Sequence, residues 1–321
     1  MKSVSELTDY YYKVLYPTLQ KLEKERKHLR YRIFLIGFAY TFLFFLLGMA
    51  LRNTFFLSID FLAILLFAYF GIGTFLYKFL IKDYTNEFKN KIIHPLIKEL
   101  DSRLNYAQPL HVSQNLFERS ELFKQTIDRI SGNDYVHGEI DGVKLEFSDI
   151  HVEKRHKDSK GRESWSTVFQ GLFIVADFNK TFYGKTVVLP DSAQSTFGEL
   201  IGGWLQSNNM QRDELIKLDS HAFEKKFVVY GTDQIEARYI LSHSLMEKLL
   251  GFEKKSKHPL YVSFVGHSIH IGIEYNKDLF EPTVLSSLLE YKIAMEYVQT
   301  LHLAIGIVEE LKLNQKLWSK R

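Results

Sequence analysis

Cysteine is absent from the 321 residues, which removes disulfides, thiolate nucleophiles and cysteine zinc sites at one stroke and suits a reducing compartment. Motifs that carry chemistry are missing too. There is no G-x-S-x-G elbow, G-x-x-x-x-G-K-[ST] loop, H-E-x-x-H pair or calcium loop, and the chain beyond the apolar runs has no G-x-G-x-x-G. An excess of one charge sign is also lacking: 41 basic residues face 38 acidic ones, so no global field argues for nucleic acid as a partner. No internal repeat or low-complexity segment is apparent. These absences lead us to expect no enzyme and no cofactor.

Charge is missing most completely from two stretches. Ile33 to Leu51 is 19 residues without a charge, and Phe61 to Tyr77 is 17 more. The second extends to Ile81 if Lys78 snorkels its ammonium to the headgroups. At about 1.5 Å per residue the first is close to 30 Å long as a helix, the thickness of a bilayer's hydrocarbon core. We expect a transmembrane hairpin. The first run starts too late and is too long for a signal peptide. Lys21, Lys24, Arg26, Lys27, Arg30 and Arg32 precede it, and Lys78, Lys82, Lys89 and Lys91 follow the second, whereas Arg52 alone lies between. The positive-inside rule then places both termini in the cytoplasm. With no charged group in either span, a fixed anchor is expected rather than a pore.

The expected fold is α+β. Residues 1–32 read as a cytoplasmic amphipathic helix that Pro17 breaks or restarts, docking on the chain's own domain or serving as a partner or membrane-surface helix. After the hairpin (33–81) comes a helical connector, 82–130, interrupted at Pro95, whose second helix covers about 115–130. A cytoplasmic domain, 131–321, follows with a mostly antiparallel sheet of six or seven strands. Val136–Ile140 and Val143–Val152 are joined by Asp141-Gly142, a hairpin-turn signal. His151–Glu163 is a charged loop, Ser166–Asn179 a central strand, and Thr186–Leu189 a strand stopped by Pro190. One irregular helix is expected in Ser192–Asp219. Phe227–Tyr230 is a strand, Thr232 an N-cap for a helix at Ile235–Leu250, and Tyr261–Val265 with Ser268–Tyr275 a second hairpin. A long helix, about 284–313, closes the chain, lying across the sheet or making an oligomer contact.

Three polar groups are candidates for a site. Asp177, Asn179 and Lys180 end the expected central strand, where an acid beside a lysine would bind phosphate or metal, or simply make a turn. Asp191, Glu236 and Arg238 would have to converge with them to form a pocket. Asp219, His221 and Glu224, with His267 and His270, have loose metal-ligand spacing, but surface histidines and helix caps explain them better, and no metal is expected. Lys154, Arg155, Lys157, Lys160 and Arg162 make a basic loop that would meet anionic headgroups at about 1 kcal/mol per residue near the surface, or would be a solvated hairpin tip. Lys254, Lys255 and Lys257 with His258 form a similar patch.

The blocks Gly138–Ile150 (GEIDGVKLEFSDI), Phe169–Phe173 with Asp177–Lys180, Val187–Asp191 (VVLPD) and Val228–Leu241 (VVYGTDQIEARYIL) resemble a bacterial two-span membrane protein family, domain of unknown function 3137. The resemblance implies a two-span anchor in the bacterial inner membrane and a cytoplasmic domain. It also implies a partner, since members are often found beside LemA-type membrane proteins, and it supplies no activity and no catalytic residues. The expected role is a membrane-anchored interaction or scaffold module, able to form homo-oligomers. The alternatives are an anionic lipid-headgroup or small-ligand binder and, behind it, a membrane-associated hydrolase or transferase.

Overall fold

The computed structural model describes residues 2–54, 59–178, 181–191 and 214–311. They form two compact units, one comprising Ser5–Leu96 with Phe280–Glu296, the other Met1–Val4, Ile97–Leu279 and Tyr297–Arg321.

The first unit is helical. Helix α1 (Val4–Tyr10) passes through a π turn (Tyr11–Leu15) into α2 (Tyr16–Thr54), and α3 (Ile59–Phe88) passes through a second π turn (Lys89–Ile93) into α4 (His94–Leu100). Each π turn ends two residues before a proline, Pro17 and Pro95. Neither proline breaks its helix, contrary to the sequence expectation. A proline has no N–H and its ring crowds the carbonyl four residues back, and one added residue per turn relieves both faults. The His94 N–H accordingly bonds to the Lys89 carbonyl, five residues back.

The polar ends of these helices carry a buried stripe: Leu7, Tyr11, Leu15, Leu19 and Leu22 on one, Tyr84, Phe88, Ile92 and Leu96 on the other. The periodic face of the N-terminal segment is therefore covered by its own chain. Two helices, Val4–Leu51 and Ala63–Leu100, contain windows long and apolar enough to cross a membrane, and none of either window is buried. Between the spans the Tyr40 hydroxyl donates to the Tyr69 carbonyl at 2.8 Å, the rings stack 5.1 Å apart, and the Tyr69 and Thr41 hydroxyls lie 2.9 Å apart. Such interhelical bonds join the two apolar helices directly.

The second unit is built on one nine-stranded antiparallel sheet: β1 (Asn105–Ala107), β2 (Arg129–Ile140), β3 (Val143–Lys157), β4 (Glu163–Asp177), β5 (Lys185–Pro190), β6 (Glu214–Ile216), β7 (Phe227–Gly231), β8 (Leu260–Val265) and β9 (Ser268–Glu274). Their spatial order is β1-β2-β3-β4-β9-β8-β5-β7-β6. Around them lie α5 (Gln114–Arg119), α6 (His221–Glu224), α7 (Gln234–Ile240), α8 (His243–Ser256) and α9 (Tyr291–Glu310). Both faces of the sheet are covered. One carries Ile150, Phe173, Val187, Tyr230 and Tyr261 in a cluster with Phe117 and Leu122. The other carries buried Phe147, Ile174, Val188, Phe264 and Ile271, while α8 and α9 bear buried stripes that include Leu249, Phe252, Leu301 and Ile305.

The two predicted hairpins are present, with Asp141 (φ 52°) and Gly142 (φ 84°) turning β2 into β3 and Gly266 (φ 65°) in the β8–β9 turn. Several expectations are corrected. The helix expected at about 115–130 is only Gln114–Arg119: the Ser120 hydroxyl donates to the Phe117 carbonyl and Glu121 turns left-handed (φ 53°). The apolar residues beyond it pack on the sheet instead. The expected Ile235–Leu250 helix is two helices, α7 and α8, because the Ser242 side chain caps a fresh start at Leu245 N–H. Its N-cap is Asp233, which accepts from the Ile235 and Glu236 N–H groups, while Thr232 accepts from Lys185 N–H. The last helix begins at Tyr291 rather than near 284. Backbone groups at Val284 and Leu288 bond to Arg26 and Glu23 instead of to a helical ladder. The irregular helix expected in Ser192–Asp219 falls largely on 192–213, outside the described residues.

Candidate functional site

The charged stretch expected as a loop from His151 to Glu163 is mostly strand. β3 continues to Lys157 and β4 starts at Glu163, with Arg155 opposite Trp165 and Lys157 opposite Glu163. Only Asp158–Arg162 turns, its Asp158 carboxylate accepting from the Lys160 and Arg162 N–H groups. Cross-strand pairing supplies what the low apolar content does not. The last residues of β3 and the first five of β4, Glu163–Thr167, are exposed or half-buried, so the two strands leave the core as a two-stranded arm.

Charges on this arm sort into two classes. Arg155 Nη1 lies 3.3 Å from Glu163 Oε1, Arg162 Nε 2.8 Å from Asp158 Oδ2, and Arg129 on β2 donates to Glu153. The Arg162 guanidinium and backbone hold the Asp158 carboxyl below the usual carboxylate range. Lys154, Lys157 and Lys160 have no carboxylate partner among the described residues. Of the five basic residues picked from the sequence, two are thus neutralised locally and three are free. Trp165, which the sequence did not single out, stands half-exposed on the arm with the Arg129 Cζ 4.3 Å from its ring centroid. No periodic signal could have found the arm, because Val152 is the one apolar residue in His151–Glu163.

The strand-end candidates are spread out. Asp177 ends β4 opposite Ser268. Glu236 on α7 uses both carboxylate oxygens on the backbone, accepting from Tyr183 N–H at 3.0 Å and Gly184 N–H at 2.8 Å, and Arg238 on the same helix is exposed. Asp191 lies past the other end of β5, its N–H donating to the Lys226 carbonyl. Gly184 to Asp191 along a strand is roughly 20 Å, and β4 to β5 is three strand spacings, roughly 14 Å. Among the described residues, no common pocket joins Asp177, Asp191 and Glu236. Asn179 and Lys180 lie outside the described residues. Lys254, Lys255 and Lys257 fall in the last turn and C-cap of α8, favourable to the helix dipole, and His258 packs its ring on Tyr275 at 4.2 Å.

The histidines separate as well. His221 is exposed at the start of α6, and Glu224 accepts from the Leu218 N–H. No group of three metal-ligating side chains stands together among the described residues. His267 sits in the β8–β9 turn, whereas His270 is buried beside the Phe173 ring, its Nδ1 without a partner among the described residues. Burial, with a contribution from the His267 charge, pushes the His270 imidazole down to about 4. A base depressed in the folded state contributes its full stability above its unfolded value of about 6.5 and loses it as pH falls toward 4. The sheet unit is expected to lose about 3 kcal/mol over that window. Denaturant melts of the full chain at successive pH values check this, and His270→Leu should flatten the slope.

Residues 167–313 match the family model described as protein of unknown function (DUF3137). That bears out the resemblance from β4 to α9, while the Gly138–Ile150 block and the paired spans fall outside the match. No curated protein matches. The crystal structure of the mycobacterial trehalose monomycolate transport factor A, TtfA, aligns over 67% of this chain and 93% of its own, at 12% identity and a TM-score of 0.33. A likeness that low supports no argument about fold or function.

Proposed function

We propose that this chain is a membrane-anchored interaction module without catalytic activity, its hairpin spanning a bacterial inner membrane with both termini in the cytoplasm and its sheet unit holding a protein partner. The observation that carries the reading is the bareness of the spans: Phe38 is 76% and Phe67 81% exposed, amid two apolar windows that nothing among the described residues covers. Apolar surface on that scale needs lipid or other helices around it. Basic residues gathered at the non-loop ends of the spans favour the cytoplasmic placement of the termini. The scattering of Asp177, Asp191 and Glu236 favours a binding role over hydrolysis or transfer. Family resemblance makes a LemA-type membrane protein the first partner to test, with a second copy of this chain beside it.

Leu43→Arg places a charge near the middle of the first span and is expected to cost about 3 kcal/mol of insertion free energy. Carbonate extraction reads the result: wild type stays with the membrane pellet and the variant moves to the supernatant. A wild-type chain that extracts freely would remove the anchor. For the partner, affinity capture in mild detergent should recover a second membrane protein or a second copy, and capture of the bare monomer would count against the module.

A further inference from the structure

We infer that the β3–β4 arm docks end-on against the anionic phospholipid headgroups of the bilayer that holds the chain, an inference that rests on the anchoring proposed above. Three observations carry it. First, the arm's own acids are all engaged by arginines, Glu153 by Arg129, Asp158 by Arg162 and Glu163 by Arg155, and the Asp128 carboxylate is held at the arm's root by the Arg155 N–H, so the charge toward the tip is that of Lys157 and Lys160, with Lys154 behind them. Second, those lysines do not line a groove. Lys154 and Lys157 are three apart along β3 and point to opposite faces of the ribbon, and Lys160 stands in the turn. An arrangement around a tip meets a charged plane better than it follows a strand of nucleic acid. Third, Trp165 shares the arm, and indole rings favour the headgroup level of a bilayer. One face of that ring is already taken by the Arg129 guanidinium, so a single face is left for a base to stack on.

Tethering supplies the rest. A domain joined to its own membrane anchor meets the lipid surface at high effective concentration, so a contact too weak for a free protein would be populated. Each lysine near the surface is worth roughly a five-fold change in that equilibrium.

The absence of cysteine allows a clean test. A fluorophore on Ser159→Cys in the arm's turn, with Asp191→Cys as the control position, would be followed in the full chain inserted into lipid nanodiscs. The discs would be either phosphatidylcholine alone or a mixture rich in phosphatidylglycerol, each with a headgroup-linked quencher. The expected result is quenching at position 159 in the anionic discs only, weakened by salt, with Lys157→Gln and Lys160→Gln each lowering the contact ratio roughly five-fold. Equal quenching in both compositions, or quenching untouched by the lysine substitutions, would overturn the inference. So would protection of the probe by an oligonucleotide in preference to the anionic lipid. A chain that fails to insert overturns the anchoring and this inference together, whereas a chain that inserts with position 159 unquenched overturns this inference alone.

Discussion

Arg26→Ala is expected to destabilise the helical unit by about 3–5 kcal/mol, the range for stripping one partner from a buried ion pair. Arg26 is 3% exposed and Glu23, one turn earlier on α2, is 5% exposed. The guanidinium donates Nε to Glu23 Oε2 at 2.8 Å and Nη2 to Oε1 at 2.7 Å, and its Nη1 donates to the Val284 carbonyl at 2.6 Å. Glu23 Oε2 accepts again from the Leu288 N–H at 3.0 Å. Removing Arg26 strands a carboxylate and a backbone carbonyl away from water; Lys27, at 4.0 Å and largely exposed, compensates weakly. Arg26→Lys keeps the charge but cannot reproduce the two-pronged bond and the third donation together, so a smaller loss is expected.

pH discriminates this account from a simple loss of packing. Burial pushes the Glu23 carboxyl up, but the Arg26 hydrogen bond and the Leu288 N–H outweigh it and hold the group below the usual carboxylate range. A depressed carboxyl contributes stability above its unfolded value of about 4.3 and loses it as pH falls through its folded value. The Arg26→Ala penalty should therefore shrink in acid, where the stranded carboxylate can take a proton. Melts of the full chain in detergent read both effects, and a loss under about 1 kcal/mol would mean the pair is solvated.

Legibility in the sequence followed the range of the interaction. The two long apolar helices were visible because an uninterrupted apolar run is a property of consecutive residues. Asp141-Gly142 and Gly266-His267 were visible because a two-residue turn is decided by its own backbone chemistry. The segment after Arg119 was not: Leu122, Phe123 and Ile127 keep a helical spacing, yet the sheet face beneath them decides their packing, and tertiary contacts override local periodicity. Nor was β1, three residues that pair with β2 through Asn105 and His137. Strand order was hidden as well, since β4 lies against β9, some ninety residues on.

The candidate site divides the same way. Residue type was enough to pick out the basic stretch, but not to separate Arg155 and Arg162, neutralised across a turn, from Lys154, Lys157 and Lys160. That distinction needs the cross-strand register. Asp191 and Glu236 failed to meet for a plainer reason: sequence distance says nothing about which end of a strand a residue occupies.

The β4–β9 pairing that sequence could not reveal makes the second large prediction. Gly171→Ala is expected to cost about 4 kcal/mol or more, in the range reserved for strain that the core cannot relax. Gly171 has φ +151° and faces Glu274 across the pair. A Cβ there would lie 2.1 Å from the Ile273 carbonyl oxygen and 2.8 Å from the Tyr275 nitrogen, both backbone atoms, so no side chain can swing away. Relief would require β9 to shift, and with it the Tyr275 and Asn276 N–H bonds to the Gln170 carbonyl. Gly251 on α8 has open space where its Cβ would go, and Gly251→Ala should stabilise the same unit by about 0.5–1 kcal/mol. Opposite signs from one chemical change isolate the close approach from any general effect of alanine. Because the β4 residues of the arm, Glu163–Thr167, end just before Gly171, the Gly171→Ala chain should also show faster hydrogen exchange from 163 to 170. If it melts as the wild type does, β4 and β9 are not packed this closely and the arm has no fixed root.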